Sequence, residues 1–237
     1  MGTAVRMVMI MAHNTDPRQH TPIHMTTDAV MTLTQWLSPG FPVGAFAYSH
    51  GLETAIDRGM ISNIHDLDLW LSDLITLGGG KSDIILLSAA YSTIPNVIGH
   101  ADETSRAFAT SAERLLETDQ QGQAFCRTVN AVWGIELGSL TYPVAVGHAA
   151  CLQKIPRDLT ARMYLHAFTA NLISAAVRLV PLGQTEGQTL LAKLAPIIQA
   201  TADEAIKQPL SNLSSQCFAG DIVAMQHETQ YSKVFRT

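Results

Sequence analysis

Ser49 stands in Ala47-Tyr48-Ser49-His50-Gly51, one residue away from the Gly-x-Ser-x-Gly elbow that presents a nucleophilic serine. Such an elbow needs a strand before the serine and a helix after it, so that the strained turn exposes the hydroxyl. A helix from Ser49 through Ile56 fits, but the strand would have to be Val43 to Ala47, directly after Gly40-Phe41-Pro42. Only 48 residues precede Ser49, and no strand–helix alternation follows. A serine hydrolase using Ser49 is therefore the rival reading. Gly78-Gly79-Gly80-Lys81-Ser82 imitates the end of a phosphate-binding loop, yet Ile75 occupies the position of the motif's first glycine. A strand is also required where Leu67 to Leu77 has helical spacing. These residues are expected to form a turn between helices, with Lys81 in solvent.

Metal chemistry fares no better. Di-iron sites in helical bundles are built from Glu-x-x-His pairs, and none of the nine histidines has a carboxylate three residues upstream. His50 and Glu53 occur once in the reverse order. His148 and Cys151 would share a helical face, but two ligands do not close a site. His13, His20 and His24 read as solvated tail residues. No catalytic residue, metal or cofactor is expected.

Those residues must be positioned by the rest of a 237-residue chain, long enough for one sizeable core. Charged residues make up 15% of it, against about 25% in typical soluble domains. So little charge suits either a large core or a surface partly covered by a partner or a second copy. The net charge of −5, without a basic stripe, argues against nucleic acid as a partner. Three separated cysteines suggest no disulfide framework and fit a reducing compartment. Met7 to Ala12 is short for a signal-peptide core and too short to span a bilayer. The expected location is the cytoplasm, away from membranes.

Apolar residues recur at helical spacing almost throughout. Pro156 to Val180 is the clearest helix, with Tyr164, Phe168, Leu172, Ala175 and Leu179 on one face and Pro181 as its stop. Another starts near Gln184, with Leu190, Leu194 and Ile198 inward and Pro196 as an expected kink. Helices are also expected after His65-Asp66, from Ile84 to Tyr91, over Asp102–Glu117 and Asp119–Trp133, and after Pro143. Phe108, Ala112, Leu115, Phe125, Val129 and Val132 are expected to face inward. The fold class is all-α, a single-domain helical bundle of about eight to ten helices. A flexible N-terminal extension is expected over 1–27, the helical domain over 28–210, and a tail over 211–237.

Two stretches remain. "SPGFPVGAFAYSHGLE" (38–53) sets the exposed-looking aromatics Phe41, Phe46 and Tyr48 among Pro39, Gly40, Pro42 and Gly44. Rigid prolines lower the entropy lost on docking, and aromatics offer contact area. A preorganised contact surface and a core-sealing connection both remain open. The tail has weak helical character and ends on Tyr231, Lys233, Phe235 and Arg236. Termini are commonly disordered, but aromatics and arginine are binding anchors, so a disordered tail and one that orders on a partner both remain open.

"WLSPGFPVGAFAYSHGLE" resembles the N-terminal signature of the UreF family of urease accessory proteins, Ser-Pro followed by Leu-Pro-Val-Gly-x-Phe-x-Tyr-Ser-x-Gly-Leu-Glu. "ETDQQGQAF" (117–125) is similar to the family's Glu-x-x-x-Gln-Gly helix start. "ANLISAAVRLVPLGQTEGQTLL" (170–191) and "DIVAMQHETQYSKVFRT" (221–237) resemble its internal segment and its C-terminal ending. The resemblance covers residues 28–237. Phe41 departs from Leu, Ala47 from Ser or Thr, Lys233 from Arg and Thr237 from Ser; Lys at 233 forgoes a bidentate contact.

The resemblance implies a non-catalytic homodimer that binds UreD (UreH), recruits the GTPase UreG, whose activity it modulates, and promotes nickel insertion into apo-urease. It also places Ser38, Pro39, Phe41, Pro42 and Phe46, then Tyr48, Ser49, His50 and Glu53, on the partner-binding surface. From the tail it adds His227, Glu228, Tyr231, Lys233, Phe235 and Arg236. Tyr48 as an aromatic anchor and Arg236 as a charged donor are the leading individuals. A generic helical interaction protein is the third alternative.

Overall fold

Two largely buried helices set the centre of the fold. In the computed structural model, which describes residues 27–236, α4 (Gly79–Ala89) and α7 (Tyr142–Leu152) are buried on nearly every side. α7, uncharged and apolar nearly all round, must sit inside, and α4 can do so because its buried Asp83 is paired with Arg114. Around them lie α3 (Ile64–Thr76), α5 (Pro95–Ala107), α6 (Ala112–Trp133), α8 (Arg157–Leu179) and α9 (Gln184–Ala205). α1 (Thr27–Trp36), α2 (Leu52–Asp57) and α10 (Phe218–His227) complete the set, with short 3-10 turns at Ala45–Ala47 and Leu210–Asn212. The described residues contain ten α-helices and no strand, as the periodicity predicts. The expected N-terminal extension falls almost wholly outside them.

α4 and α7 touch through a residue without a side chain. A Cβ on Gly147 would lie 2.2 Å from the Leu87 carbonyl oxygen. α8 and α9 form a hairpin through Pro181, and α9 runs unbroken through Pro196. Asn63 caps α3, its Oδ1 accepting the His65 and Asp66 amides at 2.9 and 3.1 Å. Asp66 reaches back to the Ser62 amide (3.0 Å). That amide and the Ser62 hydroxyl hold the Asp66 carboxyl below its ordinary range. Asn63→Ala is expected to cost about 1 kcal/mol, read as a lower urea midpoint; an unchanged midpoint would show that the cap contributes nothing.

Three expectations are corrected. α6 is one helix from Ala112 to Trp133, and the break lies at Phe108–Ser111. Thr118 and Gln121 are polar yet buried, and Gly122 seats the Leu140–Thr141 backbone, so an apparent stop is a packing surface. Leu115 and Val132 face outward, and Ala112 is exposed. Gly79 to Ser82 are the first turn of α4, leaving only Leu77–Gly78 as the connection. Lys81 pairs with Glu204 at 3.2 Å.

Candidate docking surface

The loop after α1 is built by folding some of its aromatics inward. The Ser38 hydroxyl donates to the Gln35 carbonyl (2.9 Å) and closes α1. Phe41 is buried against Phe125 and Trp133, with ring centroids 5.6 and 6.4 Å apart. Gly44 (φ 75°) turns the chain into the 3-10 turn, which only glycine enters without strain. α8 holds that turn by its carbonyls: Asn171 Nδ2 donates to Ala45 O (2.8 Å) and Arg178 Nη2 to Phe46 O (3.2 Å). With its backbone held, Phe46 stands 62% exposed. Pro39 and Pro42 are exposed as well. A cavity of about 440 Å³ lies behind the loop, with Trp36, Phe41 and Phe168 in its wall and His50, Arg114 and Glu117 among its polar lining.

Tyr48, expected as an exposed anchor, is 3% exposed, and its hydroxyl donates to Gln120 Oε1 at 2.9 Å. Burial pushes this hydroxyl upward in pKa, while the Arg236 guanidinium pulls it down. Ser49 is fully buried, and its oxygen accepts the Glu53 amide (3.3 Å). It supports the start of α2 and offers no accessible nucleophile. His50 adopts φ 52°, unusual away from glycine, with its ring edge-on to Phe168 and Nε2 3.1 Å from Glu117 Oε1. Gly51 has φ 77°, and a Cβ there would sit 2.8 Å from the Ala224 amide nitrogen. The missing side chain lets α10 lie directly on the head of α2.

"YSHGLE" is thus a seat for the other end of the chain. Glu53 Oε1 accepts the Val234 amide at 2.7 Å and Oε2 the Phe235 amide at 2.8 Å. Phe235 is buried under the Arg178 guanidinium, 4.7 Å from the ring centroid. The Arg236 amide donates to Ala47 O (2.7 Å), and its guanidinium reaches Gln120 Oε1 (3.3 Å), the atom that Tyr48 also uses. His227 is fully buried, with Nδ1 2.6 Å from Glu113 Oε2 and Nε2 3.3 Å from Glu53 Oε2. Lys233 Nζ donates to Glu113 Oε1 (2.6 Å) and Glu228 O (3.1 Å), and Glu228 Oε1 accepts the Ala112 amide (2.7 Å).

The end of the tail is therefore seated on the helical body. Phe41, Tyr48 and Phe235 face inward, whereas Phe46, Tyr231 and Arg236 face out. Val234 is 74% exposed, and Phe218, Ile222 and Met225 form an outward stripe on α10. A shallow depression among Pro42, Phe46, Tyr48, Gln120, Arg127 and Arg236 joins loop and tail. Glu113, Gln120, Asn171 and Arg178 hold this arrangement together and were not foreseen; Gln120, Asn171 and Arg178 lay within noted motifs, but nothing in their neighbourhood indicates these partners.

A depression that sets the exposed Phe46 and Pro42 beside Arg127 and Arg236 is suited to binding a macromolecule. The described residues hold no group of three His, Cys, Asp or Glu fit for a metal ion, and no helix among them is long and apolar enough to cross a membrane.

The sequence profile of the UreF family matches residues 61–195. A protein of Roseobacter denitrificans described as "Urease accessory protein UreF" is 58% identical over 215 residues, covering 91% of this chain and 97% of that protein. Proteins with the same description from Ruegeria sp. and Ruegeria pomeroyi are 53% and 48% identical, each covering 90% of this chain and 100% and 98% of their own lengths.

Proposed function

Since the chain belongs to the UreF family of urease accessory proteins, we propose that it is a non-catalytic cytoplasmic scaffold for urease maturation. It binds UreD (UreH) as a homodimer and recruits the GTPase UreG, whose activity it modulates. That complex promotes nickel insertion into apo-urease. The observation that carries this reading is the joint surface of loop and tail, in which Glu53 and Ala47 anchor the tail backbone so that Phe46 and Arg236 emerge side by side. Tyr48 acts from beneath, by fixing Gln120 and thereby Arg236.

Co-purification with UreD and UreG tests it. Phe46→Ala combined with Arg236→Ala removes two outward side chains and no core contact. Capture is expected to fall at least about 30-fold, the loss of one hot spot, with helicity and melting temperature unchanged. Wild-type capture by the double variant would sink this docking surface. An esterase activity abolished by Ser49→Ala would establish the hydrolase reading instead.

A further inference from the structure

His227 carries the inference. It is the last residue of α10, fully buried, and both ring nitrogens face carboxylate oxygens. A neutral imidazole carries one N–H, so one nitrogen would then turn a lone pair toward a carboxylate. Only the doubly protonated ring satisfies Glu113 and Glu53 together. With that ring, two carboxylates meet two cations, His227 and Lys233, and the cluster is balanced.

We propose that His227, clasped between Glu53 and Glu113, is a proton-operated latch that sets whether the tail closes over the loop and presents Arg236 beside Gln120. The short Nδ1 contact to Glu113 retains the remaining proton, so the one that leaves comes from Nε2. That nitrogen faces Glu53 Oε2, the same oxygen that accepts the Phe235 amide. Losing the proton sets a lone pair against an anion in a site without water access, a costly arrangement. The relief is movement of Glu53 or of α10's end, and either one lets go of Val234 and Phe235.

The charged groups facing the imidazole are Glu53 from α2 and Glu113 from α6, with Lys233 of the tail beyond Glu113. Glu228, beside it in sequence, is turned to the Ala112 amide. On α6, Glu117 is engaged by His50 and Arg114. Closure therefore holds while the ring keeps both protons and weakens as the pH rises and the second is lost. The latch stands on this geometry alone; its consequence for partners rests on the docking role proposed above.

The test uses the full chain. Hydrogen exchange of the Val234 and Phe235 amides, corrected for intrinsic rates, is followed from about pH 6 to about pH 8.5. Protection is expected to fall by up to about tenfold per pH unit as the second proton is lost, while amides of α4 and α7 stay constant. Nitrogen NMR of histidine-labelled protein is expected to show His227 protonated on both nitrogens at the low end. His227→Gln, which does not titrate, is expected to flatten the response. Flat protection in the wild type, a singly protonated ring at the low end, or a response that persists in His227→Gln would overturn the latch. Capture of UreD and UreG at both pH values is read in parallel. Capture falling with protection supports the coupling; protection falling with capture unchanged leaves the latch standing and removes the tail from the docking surface.

Discussion

Arg114→Met is expected to lower the unfolding free energy by about 3–5 kcal/mol, the range for stranding a buried charge. The Arg114 Nη2 donates to both oxygens of Asp83, at 2.9 and 2.8 Å, and Tyr164 adds its hydroxyl at 2.8 Å. On the other side, Arg114 Nη1 lies 3.1 Å from Glu117 Oε2, an ion pair set off-axis for a hydrogen bond. Glu117 Oε1 meets His50 Nε2 at 3.1 Å and accepts from Gln121 at 2.9 Å. Both carboxylates are over nine-tenths buried, so removing the guanidinium leaves two anions in the core. Methionine keeps the stem's apolar contacts and isolates the loss of charge. Chemical denaturation reads the effect.

The pH dependence separates this from a packing defect. Burial alone would raise the Glu117 carboxyl, but His50 and Arg114 outweigh it and bring the group from 4.5 down to about 2. A depressed acid stabilises the fold above its unfolded value and withdraws that support as pH falls from about 4.5 through about 2, here roughly 3 kcal/mol. The wild type is thus expected to weaken over that window. In Arg114→Met, Glu117 loses one of its two cationic partners while His50 remains, and the loss of stability over that acid window is expected to shrink. An acid-induced loss in the variant as large as in the wild type would show that the charge account is wrong.

Gly122→Ala is expected to cost more than about 3 kcal/mol, the upper range for overpacking. Helix propensity alone predicts the reverse, a gain of about 1 kcal/mol for alanine in mid-helix. The contact decides the sign. A Cβ at Gly122 would stand 2.0 Å from Leu140 O and 2.7 Å from Thr141 C, and these are backbone atoms with no rotamer to change. Thr141 is held in turn by its amide's bond to Asp102 Oδ1 at 2.7 Å. Gly99→Ala in α5, with nothing within 4 Å of the new methyl, is the control and is expected to gain up to about 1 kcal/mol. A Gly122→Ala protein as stable as that control would disprove the packing account.

The helices legible in the sequence were those whose apolar face and punctuation agree. α8, between Pro156 and Pro181, and α9, beginning near Gln184, appear where the 3.6-residue spacing puts them. α6 was misread because Thr118 and Gln121 lie inward while Leu115, Leu116 and Val132 lie outward, and a polarity pattern cannot report burial won through hydrogen bonds. The same limit applies to the loop. Proline, glycine and aromatics at 38–48 mark a constrained segment, but whether a ring points in or out depends on Phe125 and Gln120, far along the chain. The two ends of the candidate site were each recognisable, whereas their union was not. Glu53 meets residues 181 and 182 positions away, through main-chain amides that leave no trace in residue type.

That last feature bears on how this region can drift. Glu53 grips peptide bonds, so it measures the length of chain after His227 and is indifferent to which side chains hang from it. Val234 points into solvent and is open to almost any replacement. Proline, which has no amide hydrogen to give, is barred there and at 235. An inserted or deleted residue within 228–233 would shift the register and release both amides together. The tail is thus guarded more strictly against changes of length than against changes of identity.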